Sequence, residues 1–337
     1  MRYVIAVASI CSLFALHQPA ASAQERTIRF HEYPGNILNL VTWVMVEKGF
    51  CSQEKLKCEP VLIPAAPTAA QAAIAGSLDL IYWSADGMMQ AIAKGNDLIT
   101  VQPQIANNVY SLLAVPGIVP QSTNYPDAMR YLKGKTIGVS ARGSATELQA
   151  KALFVGAGMP PDSATYIAVG APNTAFAALV SKQVDAALSW DPIVALCDSS
   201  QKCSVIADMR KGQGPGDVKA MNGSFVTWCA RRDYVSKNEE TVDAFRRASD
   251  KATAWLKDPK NRAETMEIAS KHLKLGNIEN PDAVMKQVVE ETIANYSTTF
   301  VRSSFEGMSQ FLVKSDMIQK PLKVEDIVYR KVLQSAK

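Results

Sequence analysis

Residues 140–147 read Ser-Ala-Arg-Gly-Ser-Ala-Thr-Glu. They follow the short apolar run TIGV and precede LQAKALF, whose spacing is helical, so a strand ends, turns through small polar residues and opens a helix. Two kinds of catalytic loop share part of this pattern. Lys133-Gly-Lys-Thr136 looks like the tail of a phosphate loop, but Met129 stands where its first glycine belongs, and the segment precedes the strand instead of following it. Gly138-Val-Ser140-Ala-Arg-Gly143 is one residue too long for a nucleophile elbow. A third reading needs no catalysis. The first N–H groups of a helix have no partner within it and carry the positive end of its dipole, so a turn built from Ser140, Arg142, Gly143, Ser144 and Thr146 could receive an anion or another acceptor. The plainer alternative is that Ser144 or Thr146 caps the helix. On these residues alone both stay open.

The elements that would position such a site alternate. TIRFHEY, PVLI, DLIY and LITVQPQI read as strands, with helical patterns ILNLVTWVMVEKG, AAQAAIAG and GMMQAIAKG between them. After PGIVPQSTNYPDAMRYLKG the alternation resumes through TIGVS, ATELQAKALFVGAG, YIAVG, TAFAALVSK and VDAALSW. Repeated βα units predict parallel sheets covered by helices, an α/β fold. Residues 72–86, AAIAGSLDLIYWSAD, echo residues 177–191, AALVSKQVDAALSWD, with one added residue. No 20–50-residue period continues, so the echo predicts two similar lobes, not a solenoid. Beyond Trp228 the chain becomes charged and helical. Ser236 to Glu239 reads as a capping box, Val242, Phe245, Ala252, Trp255 and Leu256 share one helical face, and SFEGMSQFLV and KVEDIVYRKVL predict further helices.

Composition bounds the function. Of 337 residues 47% are hydrophobic and the net charge is +4, with no run of five basic residues, so nucleic acid is not an expected partner. Arg2, the apolar stretch 4–16 and Ala21-Ser-Ala23 predict a signal peptide over 1–23, cleaved after Ala23, hence a periplasmic protein. Cys51 and Cys58, and Cys197 and Cys203, form two close pairs, which in an exported chain predict two local disulfides; Cys229 is left over. Their spacing is wrong for zinc, and His31 and His272 are the only histidines beyond residue 23, so no metal and no cofactor is expected.

The stretches AAIAGSLDLIYWSAD, LKGKTIGVSARGSATELQAKALFVGAG and AFAALVSKQVDAALSWDP, in this order and spacing, resemble the periplasmic solute-binding proteins of ABC importers. The chain is most similar to the nitrate/sulfonate/taurine group, whose relatives include thiamine-pyrimidine binders. The resemblance implies a type II binding-protein fold: two doubly wound lobes joined by two crossing strands, near 109–116 and 223–230, with a helical C-terminal tail. Lobe one would be 24–113 with 229–337, and lobe two 114–228. Ligands of open α/β sheets bind beyond the carboxyl ends of the strands. That rule selects Tyr33, Asn36, Thr68, Trp83, Ser84 and Asp86 in lobe one, and the 140–146 turn, Asn173, Trp190 and Asp191 in lobe two. Trp83 and Trp190 would stack on a ligand or seal the core; Asp86 and Asp191 would bind or cap; His31 reads as structural.

The expected function is therefore a non-enzymatic, monomeric binding protein that delivers a small organic anion, a sulfonate or carboxylate with an apolar or aromatic body, to an importer permease. The alternative ligand is a pyrimidine-type thiamine precursor. A secreted hydrolase or transferase would need Ser140 or Ser144 beside His31 and Asp191, an assembly no motif supports.

Overall fold

The computed structural model describes residues 25–335 apart from 217, 277 and 279, so the expected signal peptide lies outside the described residues. Among the described residues ten strands occur in chain order: β1 (Arg26–Glu32), β2 (Leu56–Leu62), β3 (Ile81–Ser84), β4 (Leu98–Ile105), β5 (Tyr110–Ala114), β6 (Thr136–Val139), β7 (Thr165–Ala168), β8 (Ala186–Trp190), β9 (Ser204–Asp208) and β10 (Val226–Arg231). In the first lobe β2 pairs in parallel with β1, the His31 N–H bonds the Leu80 carbonyl at 2.9 Å to bring β1 beside β3, and β10 runs antiparallel between β3 and β4. In the second lobe the order is β7-β6-β8-β5-β9, parallel except for β5. The two sheets thus repeat one plan. Each sets its third strand against an antiparallel strand that enters at a crossing, β10 in the first lobe and β5 in the second. This is a doubly wound α/β architecture with its helices on the sheet faces.

The internal echo has a physical cause. Asp79 accepts the Arg29 N–H at 2.8 Å and returns its own N–H to the Arg29 carbonyl at 2.9 Å. Asp185 does the same with Thr136, at 2.8 and 2.9 Å. Each aspartate locks the entry of the third strand to the first, at the middle of β1 and at the start of β6. The preceding helices, Ala66–Ile74 and Pro172–Val180, each have a proline in the first turn, where its missing N–H costs no bond. Both bury alanines, which let a helix lie close to its sheet.

The C-terminal helices Glu239–Lys257, Pro281–Asn295 and Arg302–Lys314 cover the first lobe. Val242, Phe245, Ala252 and Leu256 are buried on one face as their spacing predicts, and Phe245 meets Phe30 and Trp228 at ring-centroid distances of 5.7 and 5.1 Å. The capping box does not form. Ser236 belongs to a separate short helix, Arg232–Lys237, and donates to the Asp233 carbonyl, so Asn238 precedes the long helix. The KVEDIVYRKVL stretch is also two short helices, split where Val328 bridges to Thr100. Both disulfides are present, Cys51–Cys58 and Cys197–Cys203, and Cys229 is free and buried. Among the described residues no helix is long and apolar enough to cross a membrane.

His31 is fully buried at the end of β1, where its Nε2–H donates to the Ile63 carbonyl at 2.8 Å and its ring leans on Tyr33 at 4.3 Å. Burial lowers its pKa to about 4. A histidine kept neutral in the folded state stabilises fully above the free value of about 6.5, and that stability is lost as pH falls toward 4. Wild type should therefore lose about 2 kcal/mol more than His31→Gln between pH 6.5 and 5, measured by urea unfolding. Parallel pH profiles for the two proteins would contradict this assignment.

Candidate functional site

The carboxyl ends of the two sheets face each other and bring four aromatic rings together. Trp83 lies near the end of β3, Trp190 ends β8, Tyr33 follows β1 and Tyr110 opens β5. Trp190 meets Tyr33 edge-on at 5.4 Å and Tyr110 at 6.1 Å, and the Tyr110 hydroxyl donates to Ser84 Oγ at 3.2 Å across the cleft. With Ser140, Ser144 and Ala145 these rings line a chamber of about 20 Å³, room for about one water molecule. Entry of any organic solute therefore requires the lobes to part. The indole N–H groups of Trp83 and Trp190 are both buried and have no acceptor. A buried donor left unpaired costs roughly 1–3 kcal/mol, which an acceptor on a ligand would recover.

The 140–147 turn both caps and lines. Ser144 is the N-cap of the helix Ala145–Gly156 and accepts the Glu147 N–H, while the Glu147 carboxylate accepts the Gly143 N–H at 2.7 Å. Thr146 Oγ1 accepts the Ser140 N–H at 2.8 Å, so its hydroxyl holds the turn from behind. Gly143 sits at φ +74°, a left-handed conformation that favours glycine. Arg142 is turned away from the chamber. Its guanidinium donates to the Tyr166 carbonyl at 2.7 Å and pairs with Glu147 at 3.0 Å. Only Ser140, Ser144 and Ala145 reach the chamber wall, and the amides of Ala145 and Thr146 have no acceptor among the described residues.

Other expected site residues fall around this centre. Asn36 caps the turn Ile37–Asn39, its Oδ1 accepting the Leu38 N–H, and its Nδ2 is buried without a partner. Thr68 lies in the first turn of the helix Ala66–Ile74. Proline at 67 and the extended Ala65 start the helix ahead of it, so Ala66 and Pro67 line the chamber and Thr68 is exposed. Asn173 packs against Gly35 from the opposite lobe, its Nδ2 2.7 Å from where a Cβ on Gly35 would stand. Asp86 is fully buried and bridges the lobes: it accepts the Gly87 N–H at 2.8 Å and Gln149 Nε2–H at 2.5 Å. Burial raises its pKa, against the opposing hydrogen bonds from Ser84, Gln149 and Gly87. Asp191 bonds Arg210, which also holds Asp208 at 2.9 Å and reaches Glu291 of the first lobe at 3.1 Å. Burial pushes Asp191 up to about 6 despite the neighbouring guanidinium.

Several contributors carry no local sequence signal. Gln149 lies 63 residues from Asp86, and Arg210 lies 19 residues from Asp191. Asn39 pins the Tyr33 turn by exchanging hydrogen bonds with both main-chain groups of Tyr33. Tyr110 could have been found from its place at the predicted crossing. The hydrolase assembly does not form, because the His31 ring bonds Ile63 while the hydroxyls of Ser140 and Ser144 bond Thr146.

Two lobes with this strand order, closing on a chamber at their strand ends, have the fold of the type II periplasmic binding proteins. The chain superimposes on the alkanesulfonate-binding protein of Xanthomonas axonopodis pv. citri bound to MOPS with a TM-score of 0.69 at 20% identity, covering 91% of this chain and 99% of that one. The periplasmic nitrate-binding protein of Synechocystis PCC 6803 also gives 0.69, at 11% identity over 91% and 87%. Residues 41–262 match the model of the NMT1/THI5-like family, to which this chain belongs. A protein of Brucella abortus (strain 2308), named as an inferred binding protein, is 26% identical over 301 residues, 85% of each chain.

Gly87 opens onto the indole of Trp83: a methyl group there would lie 2.4 Å from Nε1. Gly87→Ala should therefore displace Trp83, destabilise the protein by about 1–3 kcal/mol in urea unfolding and shift the tryptophan emission. Unchanged stability and emission would contradict the packing described here.

Proposed function

We propose that this protein is an exported solute-binding protein that captures a small organic anion between its lobes and delivers it to the membrane permease of an ABC importer. It acts as a monomer in the periplasm. The observation that carries this reading is the pair of buried, unpartnered indole N–H groups at an aromatic chamber whose far wall is a helix start with free amides. A sulfonate or carboxylate would take the Ser140–Ala145 side, where hydroxyls, amides and the helix dipole favour negative charge. Its apolar body would lie among Tyr33, Trp83, Tyr110 and Trp190. Family membership and the ligands of the structural neighbours support the same reading. A binding role needs no nucleophile, which fits hydroxyls at Ser140 and Ser144 that are bonded within the turn.

A second ligand class has its own support. Among the described residues no lysine or arginine lines the chamber, so charge compensation there comes from dipoles. A pyrimidine, neutral and flat with acceptor nitrogens, fits rings and indole N–H groups of this kind.

Thermal unfolding of ligand-stripped protein against alkyl and aromatic sulfonates, aromatic carboxylates, taurine, nitrate and aminopyrimidines distinguishes the two. A ligand at ~1,000 times its Kd stabilises by about 4 kcal/mol, a readily measured shift. The expected result is a shift with an organic anion that Trp190→Ala abolishes. A shift with pyrimidines alone would replace the first reading by the second, and no shift with any compound would remove both.

A further inference from the structure

One contact between the lobes stands apart from the aromatic chamber. Arg210 follows β9 in the second lobe, and Glu291 lies on the helix Pro281–Asn295 that covers the first. The Arg210 Nη1–H donates to Glu291 Oε2 at 3.1 Å, and neither residue lines the chamber.

Each partner is held in place by its own lobe. The Nε–H and Nη2–H of Arg210 donate to the two oxygens of Asp208, both at 2.9 Å, and Nη1–H also donates to Asp191. Asp208 ends β9, and its Oδ1 accepts the Ser111 hydroxyl of β5 at 3.1 Å. On the other side, Gln287 donates to Glu291 Oε1 at 3.1 Å. The helix that carries Glu291 is anchored at its end by Tyr296, whose buried hydroxyl donates to the Leu38 carbonyl at 3.0 Å and accepts the Val41 N–H at 3.1 Å. An exposed ion pair usually gains little because two long side chains must be immobilised to make it. Here both are ordered before they meet.

The chamber leaves room for about one water molecule, so the closed arrangement is maintained by the protein's own contacts. We propose that the Arg210–Glu291 pair is a latch that keeps the cleft closed before a solute enters. The fraction of open protein, and with it the association rate of every solute, is then set by a contact that no solute in the chamber touches. The inference rests on the reading of the two lobes as a closing cleft, whichever solute that cleft takes. Opening breaks one bond of the guanidinium. Its links to Asp208 and Asp191 stay within the second lobe, and the half-exposed Glu291 carboxylate returns to water, so no buried charge is left unpaired. The Asp86–Gln149 bond also joins the lobes, but both residues are fully buried and lie out of reach of salt. The Tyr110–Ser84 bond belongs to the chamber wall itself.

The test is small-angle X-ray scattering of the ligand-stripped mature protein as wild type, Glu291→Ala and Glu290→Ala. Glu290 is the control: it removes the same charge from the same helix, but its partner is Arg262, at 2.8 Å within the first lobe. Wild type should scatter as the closed form. Glu291→Ala should raise the ratio of open to closed protein about fivefold, the scale of a well-ordered, half-exposed ion pair, and Glu290→Ala should not. Added salt should open wild type more than Glu291→Ala, because it screens the pair that the variant lacks. A wild type that is already open, a Glu291→Ala variant as closed as wild type, equal opening in Glu290→Ala, or an equal response to salt would overturn the latch. No solute is present in these measurements, so their failure leaves the anion reading standing, and failure of the thermal-shift panel leaves the latch standing.

Discussion

Two aspartates hold the strand ends in register. Asp79 and Asp185 each exchange a pair of hydrogen bonds with a residue of the first strand of their lobe, Arg29 in the middle of β1 and Thr136 at the start of β6. Each bond fixes where the third strand starts, and strand geometry then fixes where it ends, since each residue advances the chain by about 3.3 Å. Four residues after Asp79 comes Trp83, and five after Asp185 comes Trp190. The two indoles therefore arrive at the facing edges of their sheets, where the chamber forms. Without either lock a one-residue slip would turn the tryptophan to the opposite face of its sheet.

Around that frame the cleft is held closed by polar groups withdrawn from water. Asp86 and Gln149 bond across it, Arg210 links Asp191 and Asp208 to Glu291, and Tyr110 reaches Ser84. Such bonds contribute about 1–3 kcal/mol each net of hydration, those to charged groups at the upper end, because opening lets both partners return to water. Such a cleft can open without disturbing either core. The arrangement suits a protein that must surround a solute and later release it.

Much of this was legible in the sequence. The βα alternation, the internal echo and the paired cysteines depend on local periodicity and spacing, and the structure reproduces them. Ser144 was readable as a cap because capping acts within four residues. What escaped depended on distant partners. Gln149 is an unremarked polar residue in a helical pattern until Asp86 is placed opposite it, and Arg210 lies in a charged stretch that gives no hint of three carboxylates. Arg142 reads as a free cation beside a candidate anion site, yet Glu147, five residues on, and the Tyr166 carbonyl claim it. Thr68 was selected as a strand-end residue, but proline fits the first turn of a helix, so the helix begins at Ala66 and carries Thr68 onto its exposed side.

The most direct test of the account is a crystal structure of the protein with the tightest-binding small molecule found for it. The account predicts that the molecule lies between Trp83 and Trp190, with an acceptor atom within about 3 Å of at least one indole nitrogen and the lobes closed over it. A ligand seated outside the cleft, or both indole N–H groups still unpaired in the complex, would contradict it.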